Sequence, residues 1–228
     1  MPSAFTFQSR RNAPRPAGWE TLFAALLSDS LDSLGIAHQV LSSRIRPLDD
    51  TLLMCGRART GIYLETAYLS PDENPYELEI ALVDDLTEND VVVLATGGSP
   101  RIAPWGGLLS TASKARGAAG CVTDGLIRDT AEIRRLGLPV YHRGIAPLDS
   151  KGRGAIREVD VPVFCDDVRI EPGDLIFGDA DGVVVVPAKV EAQVLEIAFT
   201  KLKAEGHSMR ELRAGSYLRD VYAKYGVL

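Results

Sequence analysis

Histidine and cysteine are scarce in this chain, three of each among 228 residues, and no two of the six stand close together. The odd, widely spaced Cys55, Cys121 and Cys165 offer neither a disulfide framework nor a paired-cysteine zinc site, and read as buried small apolar residues in reducing surroundings. The isolated His38, His142 and His207 give no local support to a catalytic triad or a histidine-built metal centre. Runs of four or more basic residues are also missing and the net charge is −6, so phosphate backbones meet no electrostatic footprint and nucleic acid is not an expected partner. No stretch approaches the roughly 18 apolar residues of a membrane span. The N-terminus, with Arg10, Arg11, Pro14 and Pro16, lacks the apolar core of a secretory signal. The expectation is a cytoplasmic protein with no membrane partner.

Two familiar catalytic patterns are absent as well, the G-x-S-x-G elbow and the phosphate-binding P-loop. A Schiff-base mechanism wants a lysine in an apolar pocket, yet Lys114, Lys151, Lys189, Lys201, Lys203 and Lys224 all stand in polar or helix-surface contexts. What is present is the composition of a globular protein, 46% hydrophobic and 25% charged. Residues 1 to 18, rich in arginine, proline and small residues, read as a surface arm, residues 19 to 215 as the folded domain, and 216 to 228 as a tail.

Within the domain, Leu22, Phe23, Leu26, Leu27, Leu31 and Leu34 recur at helical spacing, which predicts an amphipathic helix from Trp19 to Leu34 capped by Gly35. Leu52 to Ala58 and Gly61 to Ala67 read as strands around a turn, and Tyr76 to Val83 as a helix. Asp90 to Ala95 is a continuous apolar run typical of a buried strand. Helices are predicted over Leu108 to Arg116 and Thr130 to Leu136, with extended segments at Gly120 to Thr123 and Pro139 to His142. The last third changes character. Val159 to Cys165, Val168 to Ile170, Leu175 to Phe177 and Val183 to Val186 read as short strands in a β-rich layer, and Pro187 opens a long helix to about Ala214.

Chemistry concentrates between Pro104 and Arg143. Trp105-Gly106-Gly107-Leu108-Leu109 puts two glycines at a helix entrance, where unpaired N–H groups and the helix dipole favour a bound carboxylate or phosphate; a plain turn that needs glycine for its dihedrals explains the same pair. Downstream, Asp124 to Asp129 delivers an adjacent cation and carboxylate after a short strand. Arg128 suits a keto oxygen or carboxylate through charge-assisted hydrogen bonds, and Asp129 is a hard oxygen ligand for Mg²⁺; equally, Asp129 caps the next helix and Arg128 is solvated. Asp174, Asp179 and Asp181 invite a calcium reading, but turns between strands account for them better than a calcium loop does.

Taken together, Gly106-Gly107-Leu108-Leu109, the run Gly120 to Asp129, Pro139-Val140, Pro172-Gly173-Asp174 and the stretch Gly178 to Pro187 resemble one family across roughly residues 19 to 215. It is the family of the 4-hydroxy-4-methyl-2-oxoglutarate/4-carboxy-4-hydroxy-2-oxoadipate aldolases and the regulator of ribonuclease activity A. The resemblance implies an α/β fold, an α/β/β sandwich of a single domain, assembled as a homotrimer or homohexamer with sites between subunits. It implies a metal-dependent carbon-carbon lyase that cleaves a 4-hydroxy-2-oxo acid to pyruvate and a second carbonyl product, or decarboxylates oxaloacetate. Arg128 would bind the 2-oxo acid and stabilise its enolate, Asp129 would hold Mg²⁺ or Mn²⁺, and amides across Gly106, Gly107, Leu108 and Leu109 would take the carboxylate. Glu205 is the candidate for a glutamate lent by a neighbouring subunit. The family's usual acidic or amide residue after the first glycine is Gly107 here. The alternative is a non-catalytic regulator that binds a ribonuclease or helicase.

Overall fold

The computed structural model describes residues 13–66 and 74–226. In chain order the strands are β1 (Arg46–Pro47), β2 (Met54–Glu65), β3 (Asp90–Ala95), β4 (Gly120–Thr123), β5 (Leu126–Ile127), β6 (Val140–His142), β7 (Gly144–Ile145), β8 (Gly154–Val159), β9 (Val163–Cys165), β10 (Val168–Ile170), β11 (Leu175–Gly178) and β12 (Val183–Val186). The helices are α1 (Ala24–Ser33), α2 (Glu77–Asp84), α3 (Gly107–Ala115), α4 (Thr130–Leu136), α5 (Glu191–Arg213) and α6 (Leu218–Tyr225).

Eight strands form one sheet in the order β1-β6-β4-β3-β2-β11-β12, with β8 also on β2. The centre, β2, β3, β4 and β6, is parallel, while β1, β8, β11 and β12 run antiparallel to their neighbours. Strand β3 is buried along its whole length because both faces are covered. Val91, Val93 and Ala95 pack on one face, against the β9–β10 hairpin. On the other face Val92 and Leu94 meet Leu82, Val83, Ile133 and Leu138 around α2 and α4. Farther along the sheet Cys55, Leu175, Phe177, Val184 and Val186 bury the apolar stripes of α1 and α5 through Leu27, Leu31, Val194 and Ala198. Helices, sheet and hairpin make the three layers of an α/β/β sandwich, a mixed α/β fold with one curled sheet.

Several expectations need correcting. The turn placed between Ala58 and Gly61 does not exist: β2 is one strand of 12 residues. Its two halves have different partners on the same edge, β11 along Met54 to Arg57 and β8 along Gly61 to Glu65, and a register shift at Ile62/Tyr63 curls it between them. The polar Arg59-Thr60 in the middle, which looks like a turn, instead meets the carboxylate of Asp160, the buried carboxylate of Asp90 and the carbonyl of Val161. Ala67, the predicted end of the second strand, lies outside the described residues. The Trp19–Leu34 helix breaks at Leu22 and Phe23, because Asp179 reaches back and accepts the N–H of Ala24 at 2.7 Å, capping α1 from a distance. Val159 to Cys165 is two strands rather than one; Asp160 between them adopts a left-handed φ of 53° and turns its carboxylate to Arg59. Pro187 to Val190 is a turn before α5, and β11 and β12 extend the main sheet rather than forming a layer of their own. Within the C-terminal tail, α6 packs on α5. As read from sequence, all three cysteines are buried and unpaired.

Gly56 shows how tightly the sheet is drawn together. A Cβ there would lie 2.1 Å from the carbonyl oxygen of Asn89, and that oxygen accepts the N–H of Arg57 at 2.9 Å. Gly56→Ala must therefore push β2 off the start of β3, and urea denaturation should register a loss of about 3 kcal/mol; a loss under about 1 kcal/mol would mean the backbone relaxes freely.

Candidate active site

The cleft opens beyond the carboxyl ends of the parallel strands, the usual place for ligands in such sheets. Two loops built from the sequence motifs are tied together there. Asp124, fully buried after β4, accepts the N–H and hydroxyl of Thr96 at 2.6 and 2.8 Å and the N–H of Gly98 at 3.0 Å, which fixes the loop leaving β3. Residues 102 to 105 then run beside β5: the N–H of Leu126 donates to Ile102, that of Arg128 donates to Trp105, each at 3.0 Å, and Trp105 bridges Ile127. This zipper sets Gly106-Gly107 against Arg128-Asp129.

Gly106 has φ −159°, extended backbone open to any residue, so the glycine is not there for its dihedrals. Close approach is the reason: a Cβ would stand 2.9 Å from Asp129 Oδ2 and 3.0 Å from Arg128 Cγ. Asp129 occupies the N-cap position of α4 with the left-handed φ of 57°, but its side chain makes no capping bond. Instead Oδ2 accepts the N–H of Gly107 at 3.1 Å across the cleft. Aspartate tolerates this conformation, and here it turns the carboxylate away from its own helix and toward the cleft. Arg128 Nε lies 3.7 Å from Asp129 Oδ2 and its guanidinium also meets Asp149 Oδ2 at 3.7 Å and the Leu148 carbonyl at 3.4 Å. The head groups of Arg128 and Asp129 thus converge, although adjacent residues would ordinarily point apart. With the side chain 37% exposed and only long contacts, Arg128 is a cation with capacity for a ligand.

These groups line a cleft of about 290 Å³ together with Trp105, Leu109, Tyr76, Glu79 and Asp149. Leu108 and Ile80 stand exposed at its rim. At the first turn of α3 the N–H of Gly107 is taken by Asp129, while those of Leu108 and Leu109 have no carbonyl within the helix to bond.

Glu79, Tyr76 and Asp149 are members of the cleft that sequence reasoning missed; Glu79 stands out among them. It is 7% exposed, and burial pushes its carboxyl up to about 7; Asp149 adds to the rise, against the pull of the nearby Tyr63 hydroxyl and Arg128. That hydroxyl faces Glu79 without meeting hydrogen-bond geometry. A signal existed: Leu82, Val83 and Leu86 follow Glu79 at helical spacing, all buried, so the glutamate sits on the apolar stripe of α2. Tyr76 and Asp149 had no such signal. The Tyr76 hydroxyl donates to Asp149 Oδ2 at 2.9 Å. Burial by itself would raise the Asp149 carboxyl, but that bond, the backbone N–H groups of Lys151 and Ser150, and Arg128 outweigh it and hold the group below the usual range.

Other candidates fall elsewhere. Glu205 lies on α5, far along the chain's own helical layer beside Asp29 and Lys201, and does not line the cleft of its own chain. Asp174 and Asp179 accept backbone N–H groups around the strand turns, as the turn reading has it. Among the described residues no three His, Cys, Asp or Glu side chains form a ready-made metal cage, and no helix is long and apolar enough to cross a membrane.

Comparison with known proteins agrees with this architecture. A protein of Halalkalibacterium halodurans, provisionally named a 4-hydroxy-4-methyl-2-oxoglutarate aldolase, is 36% identical over 183 residues, 80% of this chain and 81% of its own. Among solved structures, an uncharacterized Pseudomonas syringae protein superposes with a TM-score of 0.79 at 28% identity, over 94% of this chain and 96% of the other. Streptomyces coelicolor RraAS2, described as an unusual member of the RNase ES inhibitor RraA family, superposes with a TM-score of 0.72 at 29% identity, over 90% and 100%. The family model described as RraA-like, Aldolase/RraA, matches residues 24–185. With that match over most of its fold, the chain belongs to the RraA-like family of aldolases and RraA proteins.

Proposed function

We propose that this cleft cleaves a 4-hydroxy-2-oxo acid to pyruvate and a second carbonyl compound, and that it also decarboxylates oxaloacetate. One observation carries the reading: a loosely held guanidinium, a half-exposed carboxylate and the open first turn of a helix converge on one small cleft. The N–H groups of Leu108 and Leu109 would hold the substrate carboxylate at the positive end of α3. Arg128 would donate to the 2-oxo oxygen and strengthen that bond as the oxygen gains enolate charge.

Asp129 suits a hard, water-rich cation. One carboxylate oxygen is fixed by the Gly107 N–H and the side chain is 51% exposed; Mg²⁺ commonly binds through one or two carboxylates, waters and substrate oxygens rather than in an all-protein cage. Mg²⁺ or Mn²⁺ held there would supply a further sink for the enolate charge. Trp105, Leu109 and Ile80 would limit water around the reacting carbons. We read the exposed rim of Leu108 and Ile80 as covered in a homotrimer or homohexamer.

The test is pyruvate release from oxaloacetate and from 4-hydroxy-4-methyl-2-oxoglutarate, with Mg²⁺ and with excess chelator. Release with metal and none with chelator is the expected result, and millimolar Mg²⁺ should raise the melting temperature, because a ligand bound only by the native state stabilises it. Release indifferent to chelator would sink the metal reading. The likeness to RraAS2 favours a second reading, a regulator that binds a ribonuclease; a chain inert toward both substrates that pulls down a purified ribonuclease would carry it.

A further inference from the structure

We propose that Glu79 is the proton-transfer residue of this cleft: it takes the C4 hydroxyl proton of the substrate as the C3–C4 bond breaks, and returns it to C3. The inference rests on the aldol-cleaving function proposed above. In the step, the O–H electron pair becomes the new carbonyl bond at C4. The C3–C4 pair moves into the C2–C3 bond, and the displaced C2–O pair comes to rest on the enolate oxygen facing Arg128. As the enolate collapses, the C2–C3 pair takes the proton back from Glu79, and pyruvate leaves with a methyl group.

The other groups of the cleft are poorly placed to move that proton. The α3 wall ends in Gly107, which has no side chain. Asp129 already accepts the Gly107 N–H and faces Arg128. Asp149 is held by the Tyr76 hydroxyl and lies against Arg128, and its depressed titration makes it a poor base. Arg128 offers only donors and no acceptor for a proton. Glu79 remains. It reaches the cleft from a third element, α2, forms no ion pair among the described residues, and is buried among Tyr63, Tyr76 and Asp149. Its carboxyl, raised to about 7 chiefly by burial, has both forms populated at neutral pH, the condition for a group that must accept and then donate. A buried carboxyl kept on an otherwise apolar helix stripe has no packing reason to be there, since leucine would fill the space at lower desolvation cost.

Glu79→Gln tests the assignment by three readings on the full chain. Cleavage should fall a hundredfold or more, and so should exchange of the pyruvate methyl protons into D₂O. The acid limb of kcat/KM, expected near pH 7 in the wild type because the base must be ionised, should vanish from the residual rate. Pyruvate affinity should stay within threefold, because Arg128 and the α3 amides do the binding; a merely structural role would instead weaken binding and lower the melting temperature. A Glu79→Gln protein with wild-type exchange and an unchanged acid limb overturns the proposal while leaving the lyase reading intact. A wild type that neither cleaves nor exchanges overturns both. Should the glutamine variant fail to fold, Glu79→Asp decides: a tenfold loss with a displaced acid limb supports the role, and an unaltered rate and limb overturn it.

Discussion

Arg128→Ala should cut pyruvate release at least a hundredfold while leaving the melting temperature within a few degrees of wild type. The two halves of that expectation have separate causes. The guanidinium has only long contacts, 3.4 Å to the Leu148 carbonyl and 3.7 Å to each of two carboxylates, and partly exposed pairs of this kind contribute on the order of 1 kcal/mol or less. Aimed at a developing oxyanion inside a narrow cleft, the same donor is worth about 3 kcal/mol in the transition state, which is the hundredfold. Asp129 calls for a different substitution. Its φ of 57° would cost alanine roughly 1–2 kcal/mol, so Asp129→Asn, which tolerates the left-handed region, separates lost charge from lost backbone. It should abolish the Mg²⁺ dependence while the chain stays folded. If Arg128→Ala cleaves at a near-normal rate, the enolate is stabilised by something else and the proposed roles are wrong.

The largest stability effect should come from Arg59, far from the chemistry. This arginine is 1% exposed in the middle of β2. It meets Asp160 at 2.7 and 3.0 Å, the Asp85 carboxylate and carbonyl at 3.2 and 3.1 Å, and the fully buried Asp90 at 3.5 Å. Arg59→Met keeps most of the volume but removes the cation from beside Asp90 and Asp160, and breaking a buried pair from one side costs about 3–5 kcal/mol. Urea denaturation should show that loss with the slope unchanged. A loss below about 1 kcal/mol would mean that water reaches the carboxylates and that the cluster is less sealed than its burial implies.

Arg59 also illustrates why part of the fold was hard to read. Its neighbours Thr60 and Gly61 carry turn character, so the local pattern divides β2 in two. What overrides that pattern lies far away in the chain: β8 and β11 on one edge, β3 on the other, and three aspartates gathered from the end of α2, the start of β3 and the turn between β8 and β9. The same holds at the N-terminus, where leucine spacing runs straight through Leu22 and Phe23, yet the carboxylate of Asp179 starts α1 at Ala24. Where the covering was uniform, pattern sufficed. Asp90–Ala95, Gly120–Thr123 and Thr130–Leu136 appear with the bounds their residues suggest, because β3 and β4 are buried along their whole length and α4 is anchored by the buried Ile133.

By itself the sequence determined the α/β class, most element positions, the buried cysteines and two motifs with chemical character, since periodicity and turn chemistry act between residues a few positions apart. Only the tertiary structure decided that the glycine pair serves close approach rather than a dihedral, that Asp129 turns from its own helix to Gly107, and that Glu79 and Asp149 share their cleft. Those outcomes depend on which strand ends the parallel sheet sets side by side. They depend also on how much water the packed helices leave around a carboxyl, a property of the assembled layers that no single stretch of chain possesses.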